Sequence, residues 1–360
     1  MGGLGPGRRK GEGYSMFGNF AVGLLCGILA GLVNGVFLLP MRYTRKWAWE
    51  NTWLVFTLFS TGVIPCLFAI IAVPNVFSII RHSPLSFLLP GLIAGCFWGI
   101  AQVGYGLGVG ILGVAIGSAV ISTTSTISGV LGPIVVYAPG RLLSSGSLIL
   151  LLALLLIVAG IYQYAKAGGR KEKELAGKDV APQVVRGKFR TGFIICLVTG
   201  VVGTAFIYGG KSSTGLVDAA KAAGAAPAFA FYVAYMITFN AGMIPGVIYS
   251  LYKLKVNHTG RGFLTSGCFF WNVGLAFIMG LLWYSGILMY GMSSEKMGRF
   301  GPSIAFVLFG GGTILFANLF GWLAGEWKGT SRSTVRGFLM GMALLVSAIV
   351  LVAFGMPSLP

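Results

Sequence analysis

The chain has 360 residues, of which 56% are hydrophobic and only 9% charged, whereas a water-soluble domain carries roughly 25% charge. The mean hydropathy of +0.86 therefore describes an integral membrane protein. Its formal charge of +18 does not point to nucleic acid, because the basic residues gather in short stretches beside apolar runs, which is the orientation signal of a membrane protein.

Apolar windows of about 20 residues are long enough to cross a roughly 30 Å hydrocarbon core as helix. They predict an all-α fold with ten transmembrane helices, after a polar, glycine-rich tail at 1–16. The spans cover 17–41, 53–74, 87–109, 111–137 and 147–165, then 191–210, 226–252, 263–290, 303–325 and 337–356. Between the fifth and sixth lies the one long polar segment, a basic loop at 166–190. All 26 Lys and Arg and all 8 Asp and Glu fall outside these spans. The tail followed by an apolar run resembles a signal peptide, but that run is about 25 residues long and lacks a small-x-small cleavage site, so it reads as a retained first helix. Cys26, Cys66, Cys96, Cys196 and Cys268 are scattered singly among the spans, without CxxC spacing or a nearby histidine. They read as packing residues, with neither metal nor cofactor expected.

Alternate loops share the basic residues unequally. One side gathers 17 of the 26 Lys and Arg: Arg42, Arg45 and Lys46, those of 166–190, Lys253, Lys255 and Arg261, and Lys328, Arg332 and Arg336. That side is expected to be cytoplasmic, which leaves both termini outside. The central loop divides the chain into five-span halves, 17–165 and 191–360. A shift of 185 residues superposes "GCFWGIAQVGYGLGVGILGVAIGS" on "GLLWYSGILMYGMSSEKMGRFGPS". Gly95, Trp98, Tyr105, Gly106, Gly113 and Ser118 meet Gly280, Trp283, Tyr290, Gly291, Gly298 and Ser303. A copy that begins after an odd number of crossings enters the membrane upside down, so two inverted five-helix repeats are expected, the arrangement that gives secondary transporters a midplane site.

The segments "RKWAWENTWLVF", "FWGIAQVGYGLGVGILGVAIG", "WNVGLAFIMGLLWY" and "GEWKGTSRSTVRG" resemble the bacterial L-rhamnose/proton symporter family, within the drug/metabolite transporter superfamily. The resemblance runs through nearly the whole chain in order. It implies ten helices, a place in the bacterial inner membrane, and uptake of a sugar coupled to protons. The open alternative is an exporter or facilitator of another small, largely uncharged metabolite. The partners implied are the sugar, protons and the lipid bilayer, and no nucleic acid.

Carrying a neutral sugar calls for hydrogen-bonding groups without net charge and for flat apolar faces, which amides and aromatic rings supply. Trp98, Gln102 and Tyr105 share one face of the third span by their spacing, and Trp283 and Tyr290 repeat the two rings. Asn34 and Asn272 are further candidates, ahead of Asn240 and Asn318. In "VISTTSTISG", Ser122, Thr123 and Thr126 are grouped by three- and four-residue spacing and are candidates to line a polar cavity. Against each stands a structural alternative: helix packing for the rings and glycines, a bond to a neighbouring helix for the amides, and a bond back to the preceding turn for the hydroxyls. The Gly-Pro pairs at 132–133 and 301–302, together with Pro245, are candidate helix breaks. Proton coupling commonly uses an intramembrane acid or histidine, and no span holds one. Glu50 and Glu326 border spans beside tryptophan and are the coupling candidates. Their alternative is pairing with Arg45, Lys46 or Lys328 at the headgroups.

Overall fold

The computed structural model describes residues 6–355 apart from 113, 138, 142–143, 176–188, 266, 324 and 326. Ten helical stretches are long and apolar enough to cross a membrane: α1 (Asn19–Tyr43), α2 (Trp49–Ala72), α3 (Leu85–Gly108), α4 (Gly117–Tyr137), α5 (Ser145–Lys171), α6 (Arg190–Ala222), α7 (Tyr232–Val256), α8 (Phe269–Lys296), α9 (Gly301–Leu323) and α10 (Arg332–Ala353). The chain is thus a multi-pass membrane protein. Helix is what these sequences must form, since hydrocarbon offers no partner to a free backbone N–H or C=O.

Helix extends beyond two of the expected boundaries. The first helix begins at Pro6, within the polar stretch at 1–16, and the fifth continues to Leu175, into the loop expected at 166–190. The prolines do not break their helices either, because Pro133 and Pro245 lie inside continuous helical segments. The irregularities fall elsewhere. Residues 58–63 of α2 and 307–311 of α9 are π-helical, a widened turn that recurs at functional sites. Gly301-Pro302 opens α9, with the proline in its first turn, where a missing N–H costs nothing.

Glycine sets the closest approaches. Gly27, Gly31 and Gly35 form a small-residue edge on α1 that lies against α9, and a Cβ on Gly31 would stand 2.8 Å from the Cα of Gly312. Only a residue without a side chain allows two helices that near. The same device joins Gly99 on α3 to Gly242 on α7.

The helices pack in a pattern that repeats on advancing by five. α1 lies on α8 and α9, as α6 lies on α3 and α4; α2 meets α8, as α7 meets α3; α2 pairs with α7, α4 with α9, and α5 with α10. At two places a residue touches the one 185 positions farther on. The rings of Trp98 and Trp283 are 5.4 Å apart, and a Cβ on Gly160 would lie 3.2 Å from Leu345.

Candidate functional site

A chamber of about 40 Å³ lies at the centre. α3 supplies Trp98 and Gln102, α8 Trp283, α1 Phe37, and α7 Gly242 and Gly246; α2 contributes Trp53, Phe56 and Thr57 with Ser60 and Thr61 of its π turn. Phe239 presents its edge to both tryptophans, at 5.2 and 5.3 Å, which fixes the pair from behind. A Cβ at Gly242 would fall 2.7 Å from the Trp98 ring, so the glycine makes room for it. Thr61 spends its hydroxyl on the Thr57 carbonyl. The Gln102 amide and the hydroxyls of Thr57 and Ser60 have no hydrogen-bond partner among the described residues. Unpaired polar groups between rings, with no ionised side chain among the described lining residues, suit a ligand of hydroxyls and C–H faces.

A larger cavity of about 410 Å³ opens between α4, α5 and α9, at the end that carries Lys171 and Trp327. Ser118 and Ser122 line it from α4, Tyr164 from α5, and Thr313 and Asn318 from α9. Tyr105 reaches it indirectly, its hydroxyl 3.2 Å from that of Ser118. Asn34 donates through Nδ2 to the Thr313 hydroxyl at 3.0 Å, while its Oδ1 is buried without a partner. Toward the opposite end α4 and α9 are shut. Ser303 donates to the Val130 carbonyl at 2.7 Å, and the Phe306 ring fills the space beside Gly129.

The family model of the L-rhamnose-proton symport protein matches residues 16–358. The chain belongs to this family. L-rhamnose-proton symporters similar to it include one from Escherichia coli, 24% identical over 93% of this chain and 98% of its own length, and one from Mannheimia succiniciproducens, 23% identical over 95% and 99%. A solved crystal structure of another protein shares the fold, with a TM-score of 0.52 at 15% identity, covering 92% of this chain and 96% of that one. Members of this symporter family are transporters, not enzymes.

In this family member the sequence candidates divide. Trp98, Gln102 and Trp283 meet in the central chamber, and Ser122 lines the larger cavity with Asn318. Tyr105 shares their helical face but not their chamber, because seven residues of helix carry it about 10 Å farther along, and its side chain is half-exposed. Tyr290 is wholly enclosed by Phe206, Phe306 and Phe309 and lines neither cavity. Asn272 lies at the start of α8, buried, where it accepts from the Arg45 N–H at 3.0 Å and donates to the Arg45 carbonyl at 2.9 Å. It is a clamp on the α1–α2 loop and lines neither cavity. Thr126 is buried and donates back to the Ser122 carbonyl, and Thr123 lines neither cavity.

Glu50 is buried and binds neither Arg45 nor Lys46. Its Oε1 accepts from Asn257 Nδ2 at 2.8 Å and from the Thr259 hydroxyl at 2.7 Å, joining the start of α2 to the α7–α8 loop. Glu326 lies outside the described residues. Sequence reading missed the α2 contribution, although Trp53, Phe56, Thr57, Ser60 and Thr61 follow the same helical spacing as Trp98 and Gln102. It also missed Tyr164, which no local pattern marks.

Proposed function

We propose that the chain is a secondary transporter of the bacterial inner membrane that takes up L-rhamnose or a related monosaccharide with protons, by alternating access between two inverted five-helix repeats. Family membership supports the substrate class and the proton. The five-helix periodicity of the packing, together with the Trp98–Trp283 and Gly160–Leu345 contacts, supports a pseudo-two-fold axis. Five crossings per repeat make that axis lie in the membrane plane. The unequal distribution of Lys and Arg favours both termini outside and the Lys171–Trp327 end in the cytoplasm.

One observation carries the reading. Tyr105 and Ser118 are the 185-residue counterparts of Tyr290 and Ser303, yet the two pairs have opposite surroundings. Ser118 borders the open cavity with Tyr105 beside it, while Ser303 is bonded to α4 and Tyr290 is buried under α9. An inverted repeat that holds one copy open and the other shut reverses its access when the copies exchange conformations. On this reading the geometry corresponds to the inward-open state. In the outward-open state Ser118 closes on α9, and its counterpart carbonyl is that of Leu315.

Ser118→Cys and Ser303→Cys variants test this with a membrane-impermeant maleimide. Reciprocal labelling is expected: conditions that raise modification of Cys at 118 from the cytoplasmic face lower modification of Cys at 303 from the outside. Simultaneous labelling of both would refute alternating access through this pair. Uptake of labelled sugars into proteoliposomes, with and without an imposed pH gradient, tests substrate and coupling. Flux of rhamnose indifferent to the gradient would remove the proton and leave the carrier.

We assign the coupling proton to Glu50, the one buried carboxylate among the described residues. It lies on the α2 face that continues to Thr57 and Thr61 in the central chamber, and proton uptake there requires it to leave the Asn257 and Thr259 donors.

A further inference from the structure

The cytoplasmic-side cavity is more than a passage. Its volume of about 410 Å³ falls within the range of roughly 300–1,000 Å³ that small-ligand sites occupy, whereas the central chamber of about 40 Å³ holds little beyond a water molecule in this conformation and has to widen before a sugar reaches Gln102. Tyr164 on its wall is 8% exposed, and its hydroxyl is buried with no hydrogen-bond partner among the described residues. Burying a hydroxyl unpaired costs about 1–3 kcal/mol, a cost that a bound ligand with matching groups removes once the Tyr164 ring turns its hydroxyl to the cavity surface. Asn318 donates through Nδ2 to the Ile314 carbonyl at 2.8 Å, which leaves its Oδ1 as an acceptor on the cavity wall. Ser118 and Ser122 add hydroxyls that both donate and accept.

A solvent path alone does not require these groups, and the repeat shows it. The residues 185 positions from Tyr164 and Asn318 are Ile349 and Pro133, so the opposite entrance has no equivalent furniture. The wall is also held rigid. The Trp327 ring lies 4.2 Å from that of Phe338 on α10 and 4.8 Å from the Lys171 ammonium, and Glu174 at the end of the α5 helix accepts from the Ser331 N–H and hydroxyl at 2.6 and 2.7 Å. A site whose supports are fixed in advance spends less of its binding energy on ordering itself.

We propose that this cavity is a second monosaccharide site, filled from the cytoplasm and separate from the Trp98–Gln102–Trp283 chamber. It rests on the transporter reading given above. The ligand class follows from the lining: neutral hydroxyls and amides in donor and acceptor roles, with the single ammonium among the described lining residues lying over a tryptophan ring, match a polyhydroxylated neutral molecule. A sugar lodged between Ser122 and Asn318 keeps α4 and α9 apart. It thereby holds the carrier inward-open when sugar has accumulated inside.

Inside-out membrane vesicles carrying the full chain with Ser122→Cys test the proposal, with the native chain giving the background of its own cysteines. L-rhamnose added at the cytoplasmic face is expected to slow modification by an impermeant maleimide by about threefold or more. In the Ser122→Cys, Tyr164→Phe double variant the concentration giving half-protection rises about fivefold, while the labelling rate without sugar stays that of the parent, which a collapsed fold would not preserve. Rhamnose, mannose and galactose all failing to protect vesicles that still transport sugar would overturn the site. So would a shift in half-protection for Gln102→Ala as large as that for Tyr164→Phe, since the sugar would then sit in the central chamber. Failure of both transport and protection in the native background is the distinct outcome that removes the transporter reading and this site with it.

Discussion

Trp98 on α3 and Trp283 on α8 meet with ring centroids 5.4 Å apart and planes tilted by 34°. Each occupies the position that the other would take after a shift of 185 residues. The wall of the central chamber is thus shared by the first five spans and the last five. Aromatic pairs of this kind contribute about 0.5–1.5 kcal/mol beyond their buried area. Phe239, edge-on to both rings, keeps them from sliding apart, so the pair forms a fixed aromatic surface with the Gln102 amide on the same chamber wall.

Gln102→Ala separates binding from folding at that surface. The amide has no partner among the described residues, so its loss removes no internal bond, and membrane abundance is expected to stay within about twofold of the native chain. Loss of one hydrogen bond to the sugar, worth about 1–1.5 kcal/mol, lowers uptake at limiting substrate about tenfold. Quantitative blotting beside initial-rate uptake checks both halves, and a parallel fall in abundance and uptake would make Gln102 a structural amide.

Asn272→Ala is expected to do the reverse. Its two bonds to the Arg45 backbone are lost, at a cost of about 0.5–1.5 kcal/mol each, and the α1–α2 loop loses its tie to α8. Abundance and thermal stability fall, while the surviving molecules keep the native half-saturating sugar concentration. Asn272→Asp gives a partial rescue, because a carboxylate still accepts from the Arg45 N–H but has nothing to donate to its carbonyl. A raised half-saturating concentration with normal abundance would return Asn272 to the substrate.

The ten spans were legible in the sequence because hydrocarbon excludes charge almost absolutely, and that exclusion leaves its mark residue by residue. The matched Gly95, Trp98, Gly280 and Trp283 stand beside a helix packing that recurs on advancing by five, which is what two copies of one packing surface would require. Periodicity gives the face of a helix but not the depth along it, nor what stands opposite. Tyr105 therefore reads as a neighbour of Trp98 although its hydroxyl meets Ser118 instead, and Asn272 reads as an interior amide although it is tied to a loop. Thr126 and Asn318 have the same local choice of bonding the preceding turn, and both take it, but only the packing of α5 and α9 decides that Asn318 also borders a cavity. Tyr164 could not be found at all, because its significance is a partner that is missing in three dimensions.

Glu174 gives the Lys171–Trp327 end of the α5–α10 pair a pH dependence. Its carboxyl is held below the ordinary carboxylate range, first by the Ser331 backbone N–H, then by the hydroxyls of Ser331 and Thr334, with Arg170 adding its charge. The start of α10 also favours a negative charge through its helix dipole. A group whose pKa is depressed on folding stabilises the fold above its unfolded value and loses that contribution as the pH falls through the folded one. Glu174→Gln should therefore lower the melting temperature of the solubilised protein at pH 7, and the gap from the native chain should shrink as the pH drops below about 4. A gap that is constant from pH 7 to pH 3, followed by tryptophan fluorescence, would mean that the charge contributes nothing.

Glu50→Gln asks whether coupling can be separated from the clamp. The replacement keeps an Oε1 acceptor for Asn257 Nδ2 and the Thr259 hydroxyl, so the join between the start of α2 and the α7–α8 loop survives with neutral hydrogen bonds, about half as strong as those to a carboxylate. What it removes is a group able to carry a proton. A symporter without its proton carrier still exchanges sugar for sugar, because exchange moves no net proton, but it no longer accumulates sugar against a gradient. Uptake driven by an imposed pH gradient is expected to fall about tenfold or more, a barrier increase of about 1.4 kcal/mol, with exchange held within about threefold. Native accumulation in the variant would place the proton elsewhere. Loss of exchange together with accumulation, at native abundance, would show that Glu50 serves only to hold the two loops together.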